Sequence, residues 1–264
     1  MEEDRKYHIG FSRQDLGEDP PTDVILCGDP ERTRMIATGF PGVELIRPLS
    51  GNRGLLSFLV RIPGGRKIVC ATSGMGAPSL SIVVNELVSL GVSRIVRVGT
   101  TGSIQDHVRA GGIVITNAAL CRQGASLDIA PPEYPAAADP FLTVALVRAA
   151  RELGVDWHLG ITASVDTFFE GQERTRTSAN PHLLRSLTGI TEEYRRLNIL
   201  NFEMECGTLL KMAGVYGFSA GCVCAVLDDR STGEDIDLDV KAGAERDAVR
   251  VALRALQGAE TISM

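Results

Sequence analysis

The amino-acid sequence predicts one α/β domain with a mixed central β-sheet flanked by helices. Short apolar runs that are typical of buried strands alternate with amphipathic helical segments along the chain. Residues 67–99 follow the order strand, Gly-rich loop, helix and strand, which favours a parallel crossover. No internal repeat, low-complexity stretch or linker interrupts this alternation, so residues 1–264 are predicted to form a single domain.

The first half of the chain begins with a polar segment, residues 1–20, which predicts an extended N-terminal arm. Pro30 suits the first turn of a short helix that follows the first strand. The apolar runs 55–62 and 67–72 flank the turn sequence Pro63-Gly64-Gly65 and predict a hairpin. The other elements predicted in this half are strands at 22–27, 94–99 and 112–118 and a helix from the loop 73–79 to about residue 90.

The second half of the chain opens with residues 122–139, whose prolines predict a loop. Residues 141–153 predict an amphipathic helix, because apolar side chains recur at helical spacing. The nearly continuous apolar run 219–227 predicts a strand that is buried on both faces, and a charged loop follows at 228–239. The other elements predicted in this half are strands at 157–165 and 199–202, an irregular segment at 166–178, and helices at 205–215 and 240–257.

The composition excludes several classes of function. The net charge is −6 and aromatic residues make up 5% of the chain, so neither a basic stripe nor a base-stacking platform for nucleic acid is expected. The apolar runs are too short to span a bilayer, and the acidic N-terminus lacks a signal peptide. The six cysteines and four histidines lack metal-ligand spacing. The cysteines lie mostly in predicted strands, which favours buried thiols in a reducing cytoplasm.

A first group of residues predicts an anion site. In a parallel sheet, ligands bind beyond the carboxyl ends of the strands, where the loops 28–32, 73–79, 99–103 and 228–234 are expected to meet. Arg97 lies in an apolar strand and needs an anionic partner, so we expect it to face a ligand rather than a closed core. The alternative is a turn whose arginine reaches solvent. The candidate phosphate ligands are Gly28, Arg32, Arg53, Arg97 and Thr100.

Two further groups suit a nucleoside. In an extended loop Gln172 and Arg174 point to the same side, where they fit a planar heterocycle with an N–H between carbonyls, and Phe168 can cover its face. The alternative is a polar surface loop with one anchoring phenylalanine. Glu203 and Glu205 stand where a strand becomes a helix, and a carboxylate there can accept from two vicinal hydroxyls. The alternative for these two residues is capping of the helix N-terminus.

Other catalytic signatures are absent from the sequence. The loop 73–79 resembles a dinucleotide-binding loop, but no acidic residue ends the strand that follows, which counts against NAD. The sequence contains neither a Gly-x-Ser-x-Gly elbow nor a P-loop. We therefore expect chemistry without a covalent nucleophile and without an organic cofactor.

Four motifs together resemble the nucleoside phosphorylase family, most closely its bacterial uridine phosphorylases. They are Gly28-Asp29-Pro30-x-Arg32, Arg97-Val98-Gly99-Thr100-Thr101-Gly102, Asp166-Thr167-Phe168-x-x-Gly171-Gln172-Glu173-Arg174 and Glu203-Met204-Glu205. The resemblance extends over nearly the whole chain. It implies a mixed sheet of the nine-stranded type, a trimer of dimers, and active sites shared between two subunits. The implied reaction is reversible phosphorolysis of uridine to uracil and ribose 1-phosphate.

The resemblance also implies a role for each site residue. Inorganic phosphate, the co-substrate, is assigned to Gly28, Arg32, Arg97 and Thr100, with Arg53 from a neighbouring subunit. Ribose is assigned to Met204 and Glu205, with His8 from the neighbour. The uracil base is assigned to Thr101, Gly102, Phe168, Gln172, Arg174 and Glu203. The catalytic roles fall to Arg174, Gln172, Glu205 and Arg97, and Arg230 is assigned to a mobile flap.

Two departures from the family pattern leave alternatives open. Gly54 stands where the family places a glutamate that binds potassium, so no cation is expected. The sequence Leu227-Asp228-Asp229-Arg230 adds a carboxylate near the base, where purine enzymes use an aspartate. A purine or broad-specificity phosphorylase that uses Asp228 is therefore one alternative. A water-dependent nucleosidase, an NAD-dependent oxidoreductase and a non-catalytic nucleoside-binding protein are the others.

Overall fold

The computed structural model of the chain describes residues 4–230 and 233–258. Within them, nine strands and seven α-helices alternate and build a mixed sheet, which confirms the predicted α/β class. The strands are β1 Asp23–Cys27, β2 Glu44–Ser50, β3 Ser57–Arg61, β4 Lys67–Thr72, β5 Arg94–Ser103, β6 Ile113–Arg122, β7 Trp157–Val165, β8 Ile199–Glu203 and β9 Ser219–Asp229. The helices are α1 Pro30–Gly39, α2 Ala77–Ser89, α3 Gly124–Leu127, α4 Pro140–Leu153, α5 Ile190–Arg196, α6 Cys206–Tyr216 and α7 Leu238–Gly258.

The sheet has the strand order β2-β3-β4-β1-β5-β8-β7-β6-β9, and β5 also pairs with β9. β1 runs parallel to β4 and β5, and β5 runs parallel to β9. The pairings of β5 with β9, β9 with β6, β6 with β7, β7 with β8 and β8 with β5 close a ring of strands. The carboxyl ends of β1, β4, β5 and β9 therefore lie at one edge of the sheet.

Helices cover both faces of the sheet, as the strand sequences require. Side chains alternate along β1. Ile25 therefore packs into a core with helices α1, α4 and α7, while Val24 and Leu26 pack into a second core with α2 and α6. Every residue of β1 is buried. A strand buried on both faces carries a continuous apolar run, which is why this segment could be recognised from sequence.

The end of β5 differs from the prediction. Residues 99–103 were expected to form a loop with free backbone N–H groups, and that expectation is wrong. The strand continues to Ser103, because β9 runs alongside it and pairs Gly99 with Cys224 and Thr101 with Val226. A register shift between Thr101 and Gly102 then turns the strand end toward β8, where Gly102 pairs with Phe202.

Four other segments also differ. Strand β2 and helix α5 were not predicted: β2 is largely exposed and contains Pro48, and α5 is short and highly charged. β6 extends to Arg122, beyond its predicted end. The segment predicted as an extended arm contains turns and a 3-10 helix at Gln14–Leu16, and both Ile9 and Phe11 are fully buried. Among the described residues no helix is both long and apolar enough to cross a membrane.

Candidate active site

A cavity of about 700 Å³ opens at the carboxyl ends of the parallel strands. This volume is in the range of pockets that enclose a small organic ligand. All four predicted rim loops contribute to it, although residues 231 and 232 of the last loop lie outside the described part of the chain. The predicted site residues that line it are Gly28, Arg32, Arg53, Arg97, Thr100, Thr101, Gly102, Phe168, Gln172, Arg174, Glu203, Met204 and Glu205.

Arg97 is one of the cations that line this cavity. It leaves β5 next to the start of α6, where its Nη2 donates to Glu205 and its Nε lies 3.2 Å from Glu203 Oε2. Its side chain is 4% exposed. The expectation that Arg97 stays unpaired is therefore wrong, since two carboxylates that are distant in sequence neutralise it. Its Nη1 atom nevertheless remains buried without a hydrogen-bond partner among the described residues.

Glu203 and Glu205 have different hydrogen-bond partners. Glu203 Oε2 accepts the backbone N–H groups of Glu205 and Cys206 at 2.8 Å each, and its other oxygen accepts from Ser164. Glu203 thus caps α6 while it also lines the cavity. Complete burial raises the pKa of Glu203, against the opposing effect of Arg97. Glu205 is fixed by Arg97 and by the N–H of Gly76, 2.6 Å from its Oε1.

The predicted phosphate ligands surround the same region. Arg32, in the first turn of α1, donates to Val98 O at 3.3 Å and pairs with Glu245 of α7 at 2.7 Å. A Cβ atom at Gly28 would lie 3.8 Å from Arg97 Nη1, so Gly28 lies directly beside this nitrogen. The Thr100 hydroxyl makes no hydrogen bond within the described residues. These groups offer donors to one bound anion.

Gln172 and Arg174 lie side by side at the other end of the cavity, as predicted. Arg174 Nε donates to Gln172 Oε1 at 3.2 Å, and the guanidinium lies 4.3 Å from the centre of the Phe168 ring. Arg174 Nη2 also forms a buried ion pair with Asp228 at 2.6 Å, which sequence reasoning did not predict. Burial raises the pKa of Asp228 above its ordinary value, although Arg174 opposes this shift.

Gly102 makes room for this ion pair. A Cβ atom at position 102 would lie 2.5 Å from Asp228 Oδ1 and 2.9 Å from Arg174 Nη2, so no larger residue fits. The neighbouring Thr101 hydroxyl donates to Phe202 O at 2.6 Å and accepts from Asn201 Nδ2 at 2.6 Å. Thr101 lines the base end of the cavity, but its hydroxyl is engaged in joining β5 to β8.

Arg230, assigned to a flap, lies outside the cavity lining. Its guanidinium is 5.4 Å from the centre of the Phe202 ring, and its Nη2 donates to Glu173 O at 3.3 Å. Burial and repulsion from Arg174 lower the pKa of Arg230 to about 10. Its Nε and Nη1 atoms are buried without partners among the described residues.

His8 and Arg53, the two residues expected from a neighbouring subunit, lie at different places relative to the cavity of their own chain. His8 does not line the cavity, and its Nδ1 lies 2.6 Å from Glu86 Oε1 on α2. Arg53 lines the cavity of its own chain at the rim, where its Nη2 donates to Tyr7 Oη at 3.1 Å. The roles of both residues across a subunit boundary stay predictions.

Sequence reasoning missed three residues, two of them on α7. Glu245 and Lys241 line the cavity one helical turn apart on α7, and Gln123 is buried against the start of α6. Gln123 Oε1 accepts from the backbone and hydroxyl of Thr208, and its amide donates to Met204 O, which fixes the turn into α6. The four-residue spacing of Lys241 and Glu245 was visible in the sequence, but the sequence does not show which face of α7 lies toward Arg32.

Comparison with known proteins adds to this geometry. Residues 22–257 match the sequence profile of the Phosphorylase superfamily. A uridine phosphorylase of Salmonella typhimurium is 39% identical over 251 residues, which cover 94% of this chain and 96% of that protein. Similar proteins of the same name occur in Escherichia coli K12, at 38% identity over 94% of this chain and 96% of its own, and in Thermococcus kodakarensis, at 37% over 97% and 87%.

Proposed function

The chain belongs to the phosphorylase superfamily, and on that premise we propose that it is a uridine phosphorylase. The reaction converts uridine and inorganic phosphate to uracil and ribose 1-phosphate, reversibly. One observation carries the proposal: a single cavity holds the adjacent Gln172 and Arg174 at one end and the Arg32 and Arg97 group at the other. A pocket with only a base site or only an anion site would not support a transfer between the two.

The base end stabilises the leaving group. As the C1′–N1 bond breaks, the electron pair goes to uracil, and Arg174 and Gln172 donate hydrogen bonds to the charge that develops there. Phe168 packs on Arg174 and bounds the base site. Groups that are already oriented and shielded from water stabilise such charge without reorganising.

The other end positions the nucleophile. A phosphate oxygen forms the new bond to C1′ while Arg97 Nη1, Arg32, Thr100 and the backbone of Gly28 hold the remaining oxygens. Glu205, fixed by Gly76 and Arg97, accepts from the vicinal ribose hydroxyls, with Met204 against the sugar. Orientation of both reactants in one site supplies most of the rate enhancement, and no covalent intermediate is needed.

A second candidate is a purine or broad-specificity phosphorylase. It is favoured by one observation, the buried Asp228 in the base end of the cavity with its raised pKa. A carboxyl group that holds its proton at higher pH can donate it to a purine nitrogen as the bond breaks. The ion pair with Arg174 opposes this role, because it favours the ionised carboxylate.

The enzyme is proposed to need no potassium. Gly54, which replaces the family glutamate, offers no side-chain oxygen, and its φ of 77° strains any residue with a Cβ. Among the described residues no group of three His, Cys, Asp or Glu side chains could hold a metal ion. Replacing potassium by another monovalent cation in the assay tests this proposal.

The assembly is proposed to be a trimer of dimers in the cytoplasm, with His8 and Arg53 completing a neighbour's site. An exposed side chain beside these residues supports a covered surface there: Tyr7, which contacts Arg53, is 71% exposed in the single chain. Light scattering of the purified protein distinguishes a hexamer from a dimer or a monomer.

One assay tests the function. The protein is incubated with uridine, thymidine or inosine, with and without phosphate, and release of the base is followed. We expect release of uracil that depends on phosphate. Release without phosphate would indicate a nucleosidase, inosine as the sole substrate would indicate the purine enzyme, and binding without release would indicate a nucleoside-binding protein.

A further inference from the structure

Most of the positive charge that lines the cavity is offset by carboxylates, which bears on how the site binds phosphate. Five cationic side chains line it, and three of them face carboxylates that also line it. Arg97 faces Glu203 and Glu205, Arg174 faces Asp228, and Arg32 faces Glu245. The arginines expected to bind phosphate thus have their charge already offset, while phosphate itself brings more negative charge.

Two lining cations have no carboxylate within ion-pair distance in residues 4–230 and 233–258. One is Arg53, which contacts only the Tyr7 ring and hydroxyl. The other is Lys241 in the first turn of α7. Without Lys241, the five acidic lining residues would outnumber the cations.

The position of Lys241 places it near the phosphate end. Residues four apart on a helix lie on one face, about 6 Å apart along the axis. Glu245 is four residues after Lys241, and its carboxylate holds Arg32 at 2.7 Å. Since both side chains line the cavity, the Lys241 stem starts one helical turn from the group that fixes a predicted phosphate ligand.

We propose that Lys241 is a further phosphate-binding residue, which supplies the positive charge that the paired arginines do not. This inference rests on the proposed phosphorylase function. An ammonium group on a flexible stem acts as a point charge and can follow the phosphate as it bonds to the ribose. Lys241 lies four residues after Asp237, and Ile236 in the same stretch of chain also lines the cavity.

The test uses three substitutions of Lys241 and one matched control. Lys241→Ala and Lys241→Gln are expected to raise KM for phosphate roughly tenfold, as a lost charge-assisted hydrogen bond does. KM for uridine should change less than about twofold, because no uridine contact is removed. Lys241→Arg should keep KM for phosphate close to the wild-type value. Arg246→Ala is the control, since Arg246 is exposed on the same helix and does not line the cavity.

Binding measured without turnover separates the inference from the function. Isothermal titration of inorganic phosphate should show the same roughly tenfold weakening in the Ala and Gln variants but not in Arg246→Ala. Melting curves check that each variant is folded. Unchanged phosphate binding in a folded Lys241→Ala, or an equal rise of both KM values, would overturn the role of Lys241. A wild-type protein that releases uracil without phosphate would instead overturn the proposed function.

Discussion

Arg174 and Asp228 form a buried ion pair, and this determines what a substitution at either residue does. Arg174→Ala is expected to lower kcat roughly 10²- to 10³-fold, as loss of a preorganised donor does. It should also destabilise the fold by about 3–5 kcal/mol, because Asp228 would remain buried and unpaired. The double variant with Asp228→Asn should regain stability without regaining kcat. Urea unfolding measures the change in stability, and steady-state kinetics measure the change in kcat. Near-normal turnover by Arg174→Ala would contradict the role of Arg174 in stabilising the leaving group.

The raised pKa of Asp228 predicts a pH dependence of stability. The folded state holds the Asp228 proton more tightly than the unfolded chain, whose value is near 3.8. The contribution of Asp228 to stability is therefore fully present below that pH and is lost as the pH rises through the folded-state pKa. Relative to Asp228→Asn, the wild type should lose unfolding free energy between about pH 4 and pH 7. Urea midpoints at both pH values test this, and a wild type that becomes more stable relative to Asp228→Asn as the pH rises would contradict it.

Individual site residues could be predicted from the sequence, but their partners could not. Arg97 was recognised because it is a cation in an apolar strand, and Gln172 because it shares one side of an extended loop with Arg174. The ion pair of Arg97 with Glu203 joins residues 106 positions apart, so it depends on strand register. Lys241 was missed because a lysine at the start of a charged helix looks like a solvated residue.

At the scale of elements, the 233–237 segment is tied to the loop that carries Arg174 through Glu234. The Glu234 carboxylate accepts the backbone N–H groups of Thr175 at 3.2 Å and Arg176 at 3.1 Å, and its carbonyl accepts from Arg174 Nη1 at 3.1 Å. Two segments that are distant in sequence are therefore held together. Arg174 takes part in this contact and also lines the cavity.

Glu234→Ala should loosen the contact between the 233–237 segment and the loop that carries Arg174. Loss of two hydrogen bonds to a charged group is expected to raise KM for uridine roughly threefold to tenfold while KM for phosphate changes little. Asp235→Ala is the matched control, because Asp235 lies beside Glu234 but pairs only with the exposed Arg176 side chain at 3.2 Å. Kinetics in both substrates provide the measurement. Equal effects of the two substitutions on KM for uridine would show that the Glu234 carboxylate does not specifically support uridine binding.

Elements with strong apolar patterns were predicted well, and those that depend on neighbours were not. β1, β4 and β7 have nearly the predicted bounds, since their side chains are buried on one or both faces. β2 is an exposed edge strand that pairs only with β3, with two register shifts. Its sequence therefore shows little of the apolar alternation that predicts a strand. The last residues of β5 contain glycine and threonine, which suit a turn locally, but pairing with β9 and β8 keeps them extended.

At the scale of the whole molecule, the proposed sharing of active sites between subunits predicts complementation between inactive variants. Arg53→Ala and Glu205→Ala should each be nearly inactive. If Arg53 serves a neighbouring subunit, mixed dimers contain one site that is intact in both residues, so random mixing restores about a quarter of the sites. Activity after co-refolding the two variants measures this. No recovery would place Arg53 in the cavity of its own chain, where it lies in the single subunit.

The ion pair of Arg32 with Glu245 joins the first helix to the last, across 213 residues. During synthesis on the ribosome, Arg32 emerges well before Lys241 and Glu245. The phosphate end of the cavity therefore cannot be complete before helix α7 has been made. We expect an incomplete chain to remain inert toward nucleosides, so that catalytic competence appears only once translation of the last helix is finished.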